Sequence, residues 1–597
     1  MAIKDTGAAA RLPVCELMTR AETLGRESLN LLSRKLTAGA NGTAAHSDPL
    51  GLGKAWCAFS TRLWSNPAAL ARVNMDMWQD FSAVWHNAVT RSFGGDVAPV
   101  IEPDINDRRF ADGAWNDNVV FDFIKQSYLL YSRAARELVD GVDGLDEGKA
   151  RKLAFATDQI IDALSPTNFA ATNPAVLRET VESSGQNVLD GLSNLLSDLN
   201  RSNGSLDIAM TDMEAFEVGG NLAVTPGKVV YQNELMQLIQ YAPTTEKVAR
   251  RPLLVIPPWM NKFYVMDLRP GNSMVQWLVD QGQTVFMISW VNPGADLAHK
   301  DFEDYLLEGP LAALDAVEKA TGEREVNAVG YCLGGILLSA TLAWMAARKD
   351  ERIRSASLLT TMVDFSDTGE VSLFIDQEGL AELEAKIREK GYLEGQKVFD
   401  TFRTLRANDL IWSFYINNYL MGRSPPPFDL LYWNADATNM PAAVHTWVMR
   451  NLYLENRLRR PGGVSLAGET IDVTRVTTPT YVLSASEDHI APWRTTYETT
   501  QLFSGPVKFV LSGSGHIAGV INPPHKKKYH YWSNAKTPAE AEAWLTGARC
   551  EEGSWWPDWK RWLSRQAGGR APARIPGNGG LGVIEDAPGG YVKARTG

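Results

Sequence analysis

Long apolar runs are missing from this chain of 597 residues. No stretch approaches the roughly 18 consecutive apolar residues that a membrane-spanning helix needs. The opening residues, Met1-Ala2-Ile3-Lys4-Asp5, carry no apolar signal core, so a cytoplasmic protein is expected. Cysteine is scarce. The four present (Cys15, Cys57, Cys332 and Cys550) are scattered without metal-ligand spacing. That excludes a disulfide framework, points to a reducing compartment and leads us to expect no metal site. Positive charge is in deficit, with 59 Lys and Arg against 70 Asp and Glu. A net charge of −11 with no strongly basic domain argues against a nucleic-acid partner. The short run Lys526-Lys527-Lys528 reads as a solvated loop. No glycine-rich phosphate loop is evident.

What is present describes a large globular protein, 45% hydrophobic and 22% charged. The length calls for two or three folded units. Tryptophan is abundant at 19 residues, which fits a large core or a protein that works on apolar material. Residues 1–48 read as an arm with one amphipathic helix over 16–36. Residues 49–205 show helical periodicity, clearest over 121–139 and 149–164. There Asp107 and Ser165 are expected to cap helices, and Pro166 suits a first turn. This section shows no catalytic constellation and reads as a docking or dimerisation module.

From about residue 206 to 597 the pattern changes. Short apolar strands are expected at 228–232, 235–241, 252–257, 284–289, 326–329, 357–362, 479–484 and 507–511. The later ones alternate with helices, which indicates an α/β fold with a doubly wound, mostly parallel sheet. Active-site residues in such a sheet lie beyond the carboxyl ends of the strands. One interval is far too long for a connection, and residues 365–470 are expected to form an inserted helical cap. The aromatic segment Trp555-Trp556-Pro557-Asp558-Trp559 reads as a packing clasp on the sheet, ahead of a Gly- and Pro-rich tail from Ala567.

The chemistry centres on Gly330-Tyr331-Cys332-Leu333-Gly334-Gly335. It follows an apolar strand and precedes a long helix-forming run over 336–348. A Gly-x-Cys-x-Gly in that setting is a nucleophile elbow of the α/β-hydrolase kind, with cysteine where serine usually stands. A Cβ at either flanking glycine would strike the neighbouring strand or helix. Cys332 would then project at a helix N-terminus, where free N–H groups favour a thiolate and an oxyanion. The fold calls for an acid after a later strand and a histidine after the last one, in that chain order. Ser486-Glu487-Asp488-His489 and Ser512-Gly513-Ser514-Gly515-His516 meet the requirement. Asp488 is chosen over Glu487. His516 is chosen over His489, which adjoins the acid in sequence and cannot easily face it. His445, His299 and His86 fall outside strand-end loops and are treated as structural.

The oxyanion hole of this fold uses the N–H after the nucleophile, here Leu333, and one from the loop after an early strand. That loop is Pro257-Pro258-Trp259-Met260-Asn261-Lys262, so the Met260 N–H is the second candidate. Arg403 and Arg406 are cap cations that could meet the phosphates of a ligand, or equally be surface ion-pair partners. Trp433 and Asp436 read as packing or dimer-contact residues.

Several ordered stretches carry a family resemblance. They include Asp107-Arg108-Arg109-Phe110, Ser165-Pro166-Thr167-Asn168-Phe169, Pro257-Pro258 with Asn261-Lys262, and the cysteine elbow. Others are Asn408-Asp409-Leu410 with Trp412, Phe428-Asp429-Leu430-Leu431-Tyr432-Trp433-Asn434, Glu487-Asp488-His489-Ile490 and Gly515-His516-Ile517-Ala518-Gly519. Over about 107–593 the chain resembles a class I polyhydroxyalkanoate synthase; residues 1–95 match poorly. The resemblance implies polymerisation of (R)-3-hydroxyacyl-CoA with release of CoA, by a homodimer at the surface of cytoplasmic polymer granules. Coenzyme A is then part of substrate and product, and no other cofactor is expected. Tyr331-Cys332-Leu333, where relatives with longer monomers carry Ala-Cys-Ser, leans toward short monomers such as 3-hydroxybutyryl-CoA. The resemblance places Asp488 as activator of the substrate hydroxyl, whereas the residues alone leave that role open between Asp488 and His516. A cysteine-dependent hydrolase, either a thioesterase or a depolymerase, would share the same fold and triad.

Overall fold

The computed structural model describes residues 52–65, 67–142, 144–202 and 206–595. The arm and the helix expected over 16–36 lie outside the described residues. Two compact units emerge. One comprises the described residues up to Asp212 together with Phe402–Pro426, the other Met213–Thr401 with Pro427–Gly597.

The first unit is helical. It contains α1 (Leu52–Ser65), α2 (Pro67–Ser92), α3 (Val119–Asp140), α4 (Glu147–Ala163), α5 (Pro174–Glu182) and α6 (Gln186–Arg201). Local chemistry sets the starts. The Asn118 side chain accepts from the Val120 and Phe121 N–H groups, Asp146 caps α4, and Asn173 caps α5 with Pro174 following. Asp107 caps a short 3₁₀ turn by accepting from the Arg109 N–H. Ser165 does not cap; its hydroxyl pairs with that of Thr167, 2.8 Å away, because a second hydroxyl two residues on competes for it. Residues 402–426, within the interval expected to be cap, join this unit. Asn187 Nδ2 donates to the Leu420 carbonyl at 2.8 Å, and the Tyr419 hydroxyl donates to Asp198 at 2.7 Å.

The second unit is built on a sheet. Its strands are β1 (Gly227–Gln232), β2 (Met236–Tyr241), β3 (Leu253–Ile256), β4 (Val285–Trp290), β5 (Val326–Tyr331), β6 (Ile353–Leu359), β7 (Thr480–Ala485), β8 (Val507–Ser512), β9 (His530–Ser533), β10 (Arg549–Glu552) and β11 (Glu585–Asp586). Their order is β10-β9-β8-β7-β6-β5-β3-β4-β2-β1-β11. The six strands from β8 to β4 run parallel, and antiparallel strands finish both edges. The central strands β3 and β5 are buried along their whole length, as their unbroken apolar runs require when helices cover both faces. One layer below and one above the sheet form the two large cores. Helix α7 (Leu333–Arg348) packs in the first and is apolar nearly all round. The order of β3, β5, β6, β7 and β8 places the ends of β5, β7 and β8 close together, and the candidate triad follows those three ends.

Candidate active site

Strand β5 ends at Tyr331, and the chain then reverses into α7 through Cys332. The cysteine has φ 52° and ψ −122°, a conformation unusual for a residue with a side chain. Holding a non-glycine residue there costs on the order of 1–3 kcal/mol, so the surroundings must enforce it. They do: the Cys332 N–H donates to the Leu359 carbonyl at 3.0 Å, and its carbonyl accepts from the Gly335 and Ile336 amides at 2.9 and 3.1 Å. The flanking glycines are steric necessities. A Cβ on Gly330 would lie 2.4 Å from the Gly335 Cα, and one on Gly334 would lie 2.1 Å from the Ile256 carbonyl oxygen. Helix α7 thus sits close against the end of β3 and aims its N-terminus at the cysteine.

Asp488 follows β7, and its side chain has no exposed surface. Its Oδ1 accepts from the Ile490 and Ala491 amides, each at 2.9 Å. That leaves Oδ2 for the His516 Nδ1, 2.6 Å away. Glu487 points into solvent, as expected from the choice of its neighbour. His516 follows β8 and is buried. Its ring stacks on that of Tyr331 at 5.6 Å between centroids, and the Tyr331 hydroxyl donates to its carbonyl at 3.3 Å. That leaves the other ring nitrogen, Nε2, free of Asp488, and the Cys332 sulfur lies near enough to act on the charge of the ring. Burial pulls the His516 pKa down. The charges of Asp488 and the Cys332 sulfur outweigh it, and the pKa is raised well above 6.5.

The aromatic clasp holds the loop that carries His516. Trp555 Nε1 donates to the Gly519 carbonyl and Trp556 Nε1 to the Val520 carbonyl, both at 2.9 Å. Trp559 Nε1 donates to the Ser357 hydroxyl on β6 at 2.9 Å. All three rings are fully buried, so His516 rides on a rigid loop rather than a free one.

Leu333 is the first residue of α7, so its N–H has no carbonyl one turn back. Met260 is half-buried in the loop after β3. That loop is anchored by Trp259, whose ring packs on Phe302 and Tyr305, and by Trp290 Nε1, which donates to the Pro257 carbonyl at 2.8 Å. Arg403 pairs with Asp207 at 2.9 Å and Arg406 with Asp409, the ion-pair arrangement that the sequence also allowed. Both arginines belong to the helical unit. His445 is buried, and burial lowers its pKa to about 4.

Sequence reasoning missed two features. Tyr453, on a π-helical turn (Met449–Leu454), lies near enough to the triad that Cys332 and Asp488, after burial itself, raise its hydroxyl's pKa. The second is the partner of Asp436, a residue read from the sequence only as a packing or dimer contact: its carboxylate is buried against Lys262 at 2.7 Å. Neither leaves a local signal: a tyrosine in an aromatic-rich segment and an acid 174 residues from its partner look ordinary.

The sheet and the elbow define a protein of the α/β-hydrolase class whose elbow holds cysteine at its apex. The family model for the α/β-hydrolase fold matches residues 251–523, and that for the N-terminus of poly-beta-hydroxybutyrate polymerase matches 106–278. The chain is 49% identical over 532 residues to the poly(3-hydroxyalkanoate) polymerase subunit of Rhizobium meliloti, covering 89% of this chain and 87% of that one. It is 47% identical over 532 residues to the poly(3-hydroxyalkanoate) polymerase of Methylorubrum extorquens, covering 89% and 88%. With the Cupriavidus necator polymerase subunit it shares 43% over 538 residues, 89% of each. The chain belongs to the poly(3-hydroxyalkanoate) polymerase family.

Proposed function

We propose that this protein polymerises (R)-3-hydroxyacyl-CoA into polyester through an acyl thioester on Cys332. The observation that carries the reading is the buried His516, bonded through Nδ1 to Asp488 at 2.6 Å and close enough to Cys332 for the sulfur to act on its charge. His516 takes the thiol proton, and the thiolate attacks the thioester carbonyl. The oxyanion forms between the Leu333 and Met260 N–H groups. Coenzyme A then leaves as its thiol, taking the proton back from the imidazolium. This exchange replaces one thioester by another and is close to isoenergetic, so the acyl group stays activated. The 3-hydroxyl of a second acyl unit loses its proton, displaces the Cys332 sulfur and makes an oxoester, which is downhill. Coenzyme A enters and leaves with the substrate, and the chemistry calls on no other group.

Asp488 spends both oxygens, one on two backbone amides and the other on His516. That supports His516 as the group that receives the hydroxyl proton, with Asp488 acting through it. Short monomers, with 3-hydroxybutyryl-CoA as the first candidate, fit the Tyr331-Cys332-Leu333 elbow. Assembly as a homodimer and residence on cytoplasmic polymer granules belong to the same reading. No described helix is long and apolar enough to cross a membrane, which is compatible with it.

The test is incubation with (R)-3-hydroxybutyryl-CoA, wild type beside Cys332→Ala. Wild type should release CoA and deposit insoluble polyester, and the variant neither. Free 3-hydroxybutyrate in place of polymer would make the protein a hydrolase.

A further inference from the structure

The loop after β3 carries the Met260 N–H, and polar groups from a distant segment pin it on its far side. In that segment a short helix, α8 (Asp429–Ala435), is followed by Asp436 and Ala437. Asp436 is buried and spends both carboxylate oxygens on the loop and its continuation. Lys262 Nζ donates to Oδ1 at 2.7 Å, and the Tyr264 hydroxyl donates to Oδ2 at 2.8 Å. Trp433 Nε1 donates to the Lys262 carbonyl at 2.6 Å, and Asn261 forms a β-bridge with Ala437. The Lys262 and Asp436 side chains are 4% and 5% exposed.

A pair this deeply buried is a poor device for stability alone. Its desolvation offsets much of its attraction, and an apolar pair of the same volume often does as well. What it supplies is direction. Two oxygens of one carboxylate, each with its own donor, fix Lys262 and Tyr264 relative to each other and to α8. Met260 lies two residues before Lys262. Its N–H must sit where charge develops on the acyl oxygen, and small displacements there are costly.

We propose that Asp436 is a positioning residue, which through Lys262 and Tyr264 aims the Met260 N–H at the oxyanion formed on Cys332. The proposal rests on the acyl-cysteine reading. It separates two reactions of the same sulfur. Attack on a thioester generates an oxyanion. Displacement of iodide from iodoacetamide forms an S–C bond without one.

The test compares wild type, Asp436→Asn and Tyr264→Phe in two measurements. The first is single-turnover acylation of Cys332 by (R)-3-hydroxybutyryl-CoA, read as the CoA burst and as the acyl adduct on Cys332 by mass spectrometry. The second is the rate of Cys332 alkylation by iodoacetamide. Acylation should fall about tenfold to hundredfold in Asp436→Asn and roughly threefold to tenfold in Tyr264→Phe. Alkylation should stay within about twofold of wild type in both, because that reaction places no charge in the hole. Tyr264→Phe keeps the ion pair and answers the question if Asp436→Asn does not fold. Unchanged acylation in the folded variants overturns the proposal, and so does an equal loss of acylation and alkylation. CoA release by wild type with no acyl group on Cys332 would remove the acyl-cysteine reading, and this proposal with it.

Discussion

The Nδ1 nitrogen of His516 lies 2.6 Å from the Oδ2 oxygen of Asp488, across 28 residues of chain. The bond fixes which ring nitrogen remains for Cys332. It also uses the last open oxygen of the acid.

Asp488→Asn keeps the shape and removes the charge. If the acid acts through His516, acylation and chain elongation should fall together, by on the order of a thousandfold or more. Rapid-quench measurement of the CoA burst, with polymer yield on the same samples, separates the two steps. Fast acylation with blocked elongation would make Asp488 the direct activator of the hydroxyl.

Alanine at an ordinary helical glycine stabilises by up to about 1 kcal/mol. At Gly334 the sign reverses. The new Cβ would lie 2.1 Å from the Ile256 carbonyl oxygen, at the end of β3, and 2.6 Å from that of Pro257, which the Trp290 indole holds in place. Gly334→Ala should cost roughly 3 kcal/mol or more, and should slow acylation even where the protein stays soluble. Urea unfolding followed by tryptophan fluorescence, with the acylation assay, checks both.

The elbow was legible because its demands are local: two glycines and a cysteine within five residues describe the turn and the reason for it. The parallel strands were legible for a similar reason, as unbroken apolar runs between helices. The antiparallel strands β9 and β10 were not, since His530–Ser533 and Arg549–Glu552 carry polar and charged residues and half-face solvent. Partner choice was the harder matter. Nothing local in 402–426 says that Tyr419 will meet Asp198, and nothing around Asp436 points to Lys262. Such contacts are decided by the packing of whole units.

His445 gives a prediction about pH. Its pKa is lowered to about 4 by burial, below the 6.5 of an exposed imidazole. The folded protein therefore binds fewer protons than the unfolded chain between those values. The stability that follows is present above pH 6.5 and is lost as pH falls through 6.5 toward 4. Near pH 5 the loss should reach about 2 kcal/mol. His445→Gln should flatten the fall in the urea midpoint between neutral pH and pH 5. An unchanged slope would mean that His445 is charged in the folded state.

Cys332→Ser tests why the position holds sulfur at all. A serine ester has already lost the activation of the incoming thioester, so transfer to a second hydroxyl exchanges one ester for another with little driving force. Serine is also a far weaker nucleophile than a thiolate held beside His516, whose raised pKa suits a proton taken from sulfur. The elbow geometry should survive, because the substitution is nearly isosteric and the φ of 52° is imposed by neighbours. Polymer formation from (R)-3-hydroxybutyryl-CoA should therefore drop by at least about a hundredfold, while any residual CoA release appears as free acid. A serine variant that elongated polyester at the wild-type rate would show that thioester activation on the enzyme is unnecessary.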